Sequence, residues 1–231
     1  MQKHSKRYKE LLKSIIKNKK IELKEIIDLV KKNSTTKFDE SIDVSLRINL
    51  KQSKGGDLSL RTIVKLPNGS GKKNKVAVLC EPEKIEEAKK SGAEVVGSDD
   101  LIEKISLGKF DFTKLICTPA MMGKIGKHGK VLGPKGLMPN PKLGTVTQDV
   151  AKAISNVKKG QVQFKNDKAG IVHAGIGKLN FKSEHLFENL KVFFDVINKN
   201  KPESHKGSFI KKVTIASTMG FGLEINVGEL R

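Results

Sequence analysis

The chain has 231 residues, enough for one large domain or two small ones. Lys and Arg number 45 against 25 Asp and Glu, a formal charge of +20 that sets it apart from near-neutral soluble domains and favours a polyanionic partner. No apolar run is long enough to cross a bilayer, and the basic residues are not gathered on one apolar-faced helix, so neither a spanning segment nor a membrane-surface helix is expected.

Met1–Lys9 is basic and leads into a charged helix, not into the apolar core of a signal peptide, which implies a cytoplasmic protein. Residues 5–33 read as two helices, with Leu11, Leu12, Ile15 and Ile16, then Ile26, Ile27, Leu29 and Val30, at helical spacing. Residues 41–50 alternate strictly, Ile42, Val44, Leu46, Ile48 and Leu50 pointing one way. Residues 58–66 repeat the pattern, with Lys54-Gly55-Gly56-Asp57 between. This predicts a half-buried antiparallel hairpin with one face free for solvent or a ligand.

After the loop at Pro67-Asn68-Gly69-Ser70-Gly71 the style changes. Residues 75–80 are a buried strand, Pro82–Ser91 a helix and Glu94–Gly97 a short strand. Ser98 is placed as N-cap of a helix running to Leu107, and Phe112–Cys117 is another buried strand. Such strand–helix repeats build a parallel sheet. Cys80 and Cys117 lie within these apolar strands, where reduced buried thiols are expected; a disulfide between them is the alternative. Residues 119–144 are rich in Gly, Pro and Lys and read as loop. A helix follows from Thr147 to Lys159, closed by Gly160. Strands return around Val162 and Phe164 and at Ile171–Ile176, then an amphipathic helix at Glu184–Lys199, then a last strand through Val213 and Ile215.

The two ends thus share a half-buried-sheet style that the middle lacks. The economical fold is an α+β domain with an antiparallel sheet (residues 1–67 with 160–231), interrupted by an inserted Rossmann-like α/β domain (68–159). Linkers near 67–74 and 159–160 would join the two; two domains in simple series are the alternative. Charge follows the same division. Residues 75–118 are slightly acidic, whereas residues 119–148 hold five lysines and no carboxylate.

No enzyme signature is present. The Gly-rich stretch 123–136 matches neither G-x-x-x-x-G-K-[ST] nor G-x-G-x-x-G. No histidine pairs with Cys or His at metal-ligand spacing, and no Ser sits in G-x-S-x-G. Neither catalytic residues nor a cofactor or metal is expected; a nucleotide enzyme built on the parallel sheet is the rival reading. Gly126-Lys127-His128-Gly129 has the letters of a KH loop, but its surroundings read as loop. With few aromatics, RNA would be recognised through shape, phosphates and 2′-hydroxyls. Lys124, Lys127, Lys130, Lys135 and Lys142, spaced among glycines, suit a phosphate-contacting surface; a flexible solvated loop is the alternative.

The run Pro119-Ala120-Met121-Met122-Gly123, followed by Leu132-Gly133-Pro134-Lys135-Gly136-Leu137-Met138-Pro139-Asn140-Pro141, closely resembles the central signature of the bacterial first large-subunit ribosomal protein family, the L-one stalk proteins. The resemblance continues through Lys37-Phe38-Asp39-Glu40, Phe164-Lys165-Asn166-Asp167-Lys168 and Ser217-Thr218-Met219-Gly220, covering nearly the whole chain. It departs from the family's pattern at Arg61-Thr62, where an Arg-Gly pair is usual, and in the loop 51–57, which lacks an Asp-Gln pair.

The resemblance implies a ribosomal RNA-binding protein of the mobile stalk, monomeric when free. Its inserted domain would face exit-site transfer RNA and assist release of the deacylated molecule. It would also bind its own messenger RNA and repress translation. Carried over by position, the ribosomal RNA contacts would be Lys37, Phe38, Thr218, Met219 and Gly220, with Asn166, Asp167, Lys168 and His173 as further candidates. The five inserted-domain lysines would face transfer RNA. The Thr218 hydroxyl would meet a ribose 2′-OH, and Phe38 and Met219 would offer flat apolar contact.

Overall fold

The computed structural model describes residues 5–15, 23–49, 60–72, 74–108, 110–201 and 207–230, side chains 12–15 excepted. In chain order the first elements are α1 (Lys6–Ile15), α2 (Leu23–Lys32), β1 (Ser41–Ile48), β2 (Arg61–Lys65), β3 (Val76–Leu79), α3 (Ile85–Lys90), β4 (Val95–Gly97) and α4 (Asp99–Ser106). Then come β5 (Lys114–Cys117), α5 (Pro119–Gly126), α6 (Gly129–Leu132), α7 (Val150–Lys158), β6 (Gln161–Lys165), β7 (Ile171–Lys178), α8 (Ser183–Lys199), β8 (Ile210–Ser217) and β9 (Gly222–Ile225). The chain divides into two compact units, one made of Met1–Gly71 with Val162–Arg231, the other of Lys72–Gln161.

In the first unit, alternation along β1 sends Ile42, Val44, Leu46 and Ile48 inward. The strand is central in a four-stranded antiparallel sheet of order β7-β1-β8-β9. Register aligns the inward residues in rows: Leu46 stands between Val172 and Val213, and Val44 between Ala174 and Ile215. Helices α2 and α8 cover these rows with Ile26, Ile27 and Val30, and with Leu186, Leu190, Phe193 and Phe194. Phe164 of β6 meets Phe193 edge-on at 5.3 Å.

The expected hairpin does not form. Both edges of β1 are taken, by β7 and β8, and β2 pairs with β6 in a separate two-stranded sheet. Alternation reports which face of a strand is buried; it does not say which strand lies beside it. The turn expected at residues 51–57, and Leu58, lie outside the described residues.

The second unit holds a parallel sheet of order β4-β3-β5. Ala77 and Leu79 face α4, α5 and α6, while Val76 and Val78 face α3 and α7, so the strands read as unbroken apolar runs. Cys80 and Cys117 are free and buried. Three local expectations are corrected. Residues 119–132 are not loop but two short helices, because buried Met121, Ile125 and Leu132 outweigh the roughly 1 kcal/mol that each glycine costs a helix. The Gly126–Gly129 letters therefore lie at the junction of two helices, although α6 is a single turn. Ser98 occupies the cap position of α4 without a side-chain capping bond, and Asp99 instead pairs with Lys124 at 2.7 Å.

Candidate nucleic-acid interface

The outward side of β1 carries Asp43, Ser45 and Arg47. Register places His173 beside Ser45, and Gly175 and Ala216 on either side of Asp43. This face is polar and low: Gly222 extends the Gly175-Asp43-Ala216 row. The sequence-predicted residues fall at its two ends. Phe38 precedes the start of β1, and the turn of Thr218, Met219 and Gly220 is bonded to that start through Ser41 and Glu40. Asn166, Asp167 and Lys168 form the turn before β7, beside the far end of β1. Six residues of extended strand separate them, about 20 Å, with His173 between.

At the near end, the turn after β8 is fastened to the start of β1. Thr218 N–H donates to the Ser41 carbonyl at 3.1 Å. The Thr218 hydroxyl accepts from Ser41 N–H at 3.0 Å and donates back to the same residue's carbonyl at 3.2 Å. Its single proton is thus committed inside the protein, and the hydroxyl can meet a ligand only as an acceptor. A Cβ at Gly220 would run into the Ser217 hydroxyl and push it off Glu40, which favours glycine here.

Beneath the turn lies Glu40, fully buried. Its carboxylate accepts from the Ser34 hydroxyl at 2.7 Å, the Thr36 hydroxyl at 2.6 Å and Met219 N–H at 3.1 Å. Burial by itself would raise its pKa. Hydrogen bonds from Thr36, Ser217, Ser34 and the Met219 backbone outweigh that and bring the carboxyl from 4.5 down to about 2. Glu40 closes the Lys37-Phe38-Asp39-Glu40 run that resembles the family, but the resemblance implies no role for it; its even-numbered parity with Ile42, Val44 and Leu46 places it inward, and a carboxylate at an inward position needs partners.

The fastening leaves two large apolar side chains in solvent, Phe38 at 54% and Met219 at 53% exposure. Lys37 is exposed beside Phe38. At the far end Lys168 is exposed, and Asp167 accepts from Ile171 N–H at 2.7 Å. Asn166 is buried; its carbonyl accepts from Leu60 N–H at 2.6 Å and its amide donates to the Asp167 carbonyl at 3.1 Å. Its geometry is that of a residue that holds the turn in shape. His173 meets the Ser45 hydroxyl through Nδ1 at 3.1 Å and lies 4.0 Å from Asp167 through Nε2.

The second unit presents its five predicted lysines on the outside. Lys124 pairs with Asp99, and Lys135 sits 3.7 Å from the centre of the Phe110 ring. Among the described residues, no group of three or more His, Cys, Asp or Glu is placed to hold a metal ion. No described helix is long and apolar enough to cross a membrane.

The family model described as ribosomal protein L1p/L10e matches residues 30–221. The chain belongs to this family. It is 48% identical over 226 residues to the large ribosomal subunit protein uL1 of Pelagibacter ubique, covering 97% of this chain and 98% of that protein. It is 47% identical over 231 residues to the large ribosomal subunit protein uL1 of Thermosipho melanesiensis, covering 100% of this chain and 99% of that one. Membership in the L1p/L10e family makes it a structural ribosomal protein and not an enzyme. The matched span begins in α2 and ends at Phe221, so it contains both ends of the β1 face.

Proposed function

We propose that this chain is a constituent of the large ribosomal subunit whose first unit grips a folded region of large-subunit ribosomal RNA, that of the mobile stalk, along the outward face of β1. The observation that carries this is the pair Phe38, in the segment before β1, and Met219, on the turn after β8, both more than half exposed on backbone that the buried Glu40 carboxylate ties down through Thr36 and Met219 N–H. Because hydrogen bonds already fix the backbone at both positions, binding has only side-chain rotamers left to order there. Lys37 at one end, and Lys168 with Arg47 at the other, supply phosphate contacts, and the low Gly175-Asp43-Ala216-Gly222 row lets an RNA backbone approach closely.

The second unit, a Rossmann-like α/β domain inserted into the first, faces exit-site transfer RNA and assists release of the deacylated molecule. Its support is the repeat Gly123-Lys124, Gly126-Lys127, Gly129-Lys130. A Cβ at any of these three glycines would meet nothing within 4 Å, so packing does not require them. They leave low cationic ground for a phosphate backbone. The free, monomeric protein binds a similar fold in its own messenger RNA and represses translation. It works in the cytoplasm, on the ribosome.

The test is binding to transcribed large-subunit RNA as a function of salt. For six to ten phosphate contacts, affinity falls by roughly 10³–10⁵ between about 50 and 200 mM salt; binding indifferent to salt would sink the proposal. Met219→Ala is expected to weaken binding roughly tenfold, the worth of one buried apolar side chain. Thr218→Ala is expected to weaken it too while costing about 1 kcal/mol of stability through the lost bridge to Ser41. Both variants retain the wild-type circular dichroism, and wild-type affinity in both would overturn the assignment of this end.

A further inference from the structure

The basic N-terminal helix has no part in the face described so far, yet the fold fastens it there. Tyr8 and Leu11 of α1 pack onto the core of the first unit. This docking brings Arg7 to the Met219 turn, where its Nη2 donates to the Met219 carbonyl. The Met219 backbone is thus gripped at both of its polar groups, its N–H by Glu40 and its carbonyl by Arg7.

We infer that Arg7 is a phosphate-binding residue of the RNA face, an assignment that rests on the ribosomal RNA reading of the Phe38–Met219 end. One carbonyl occupies one of the five N–H groups of a guanidinium. Among the described residues no carboxylate pairs with Arg7. The rest of the fork is therefore open to an anion, and a planar fork held at one corner matches two oxygens of a phosphate. The position is apt: the nearest turn carries the half-exposed Met219, and Lys6 and Lys9 on the same helix are exposed. Met219 then supplies apolar contact while Arg7 neutralises the backbone beside it. A purely structural role would need only a donor to the Met219 carbonyl, which an uncharged side chain supplies.

The deciding variants are Arg7→Gln, which keeps an N–H donor without charge, and Arg7→Lys, which keeps charge without the fork. Each is titrated with transcribed large-subunit RNA over a salt series, beside the wild type and Met219→Ala. For Arg7→Gln the slope of log affinity against log salt is expected to become shallower by about one, with binding roughly five- to tenfold weaker at about 0.1 M salt. Arg7→Lys is expected to restore the slope and part of the affinity. If Arg7→Gln keeps the wild-type slope, whether or not its affinity drops, Arg7 only braces the turn and the inference fails. In that case steep salt dependence in the wild type and weakened binding in Met219→Ala leave the ribosomal RNA reading standing. If the wild type itself binds without salt dependence, the reading and the inference fall together.

Discussion

Glu40→Gln is expected to lower stability by about 2–4 kcal/mol at neutral pH and to loosen the turn that presents Met219. The carboxylate is fully buried, and it accepts from the hydroxyls of Ser34 and Thr36, from Ser217 and from the Met219 backbone. An amide of the same shape replaces one acceptor oxygen with an NH₂ group, which then faces donors. The pH dependence is the sharper test. Because the folded carboxyl titrates near 2 against an ordinary 4.5, its stabilisation is complete above about pH 4.5 and is lost as pH falls toward 2. A displacement of that size corresponds to about 3 kcal/mol. Urea unfolding of the wild type and Glu40→Gln at pH 7, 4 and 2.5 should show the gap between them narrowing as pH falls. A gap that stays constant across that window would mean that Glu40 is not ionised in the folded protein. A stable variant that binds RNA normally would mean that the turn does not depend on it. RNA affinity should fall with stability at pH 7, because the Met219 N–H loses its partner.

Much of this was legible in the sequence, and what was not has identifiable physical causes. Alternation at Ile42–Ile48 and the apolar runs at Val76–Leu79 and Leu115–Cys117 announce an antiparallel and a parallel sheet, and both are present. Partner choice was not legible: β1 pairs with strands that begin 123 residues after its end (β7, Ile171) and later still (β8), and no local pattern encodes that. The helices α5 and α6 were hidden by glycines whose local propensity is overridden by the burial of Ile125 and Leu132. Strand β9 was missed because four residues with only Leu223 and Ile225 inward give too short an alternation. At the candidate interface, Phe38, Met219 and Lys168 were named through resemblance. Glu40 and Arg7 were not, since their roles arise from hydrogen bonds spanning 179 and 212 residues. Glu40 carries two local marks, its place in the Lys37–Glu40 run and its parity with the inward residues of β1, and neither says what it holds.

The same rule applied to a helix leads to Asn189. It sits three residues after Leu186 and one before Leu190, on the stripe that α8 buries, and is itself fully buried. Its amide donates to the carbonyls of Gly69 at 3.0 Å and Ile176 at 2.8 Å, and its oxygen accepts from Asn68 N–H at 3.1 Å. Asn68 in turn donates to Glu188 at 2.8 Å. The segment Asn68–Gly71, where the chain leaves the first unit, is therefore secured to α8 and not left to hang. Gly71 completes the attachment: it has φ +70°, and a Cβ there would lie 2.6 Å from Lys178 Cγ and 3.2 Å from Phe181 Cζ. Asn189→Ala is expected to cost about 2–4 kcal/mol, because it orphans one N–H and two carbonyls, less a few tenths regained from helix propensity. Asn189→Asp should be no better, since a carboxylate would face two carbonyl oxygens. The local readout is amide exchange at Asn68, whose N–H loses its acceptor in Asn189→Ala but keeps one in Asn189→Asp. Exchange should accelerate in the first variant well beyond what its global stability accounts for, and less in the second. Equal exchange at Asn68 in the wild type and both variants would show that the exit segment is held by something other than this side chain. Gly71→Ala tests the same attachment from the other side. Through strain at positive φ and the Lys178 contact it should free the end of the segment at Gly71 while Asn189 still holds Asn68 and Gly69. Loosening by both routes would place the first flexible point of the connection at Lys72 or beyond in the wild type, at Asn68 in Asn189→Ala, and after Gly69 in Gly71→Ala.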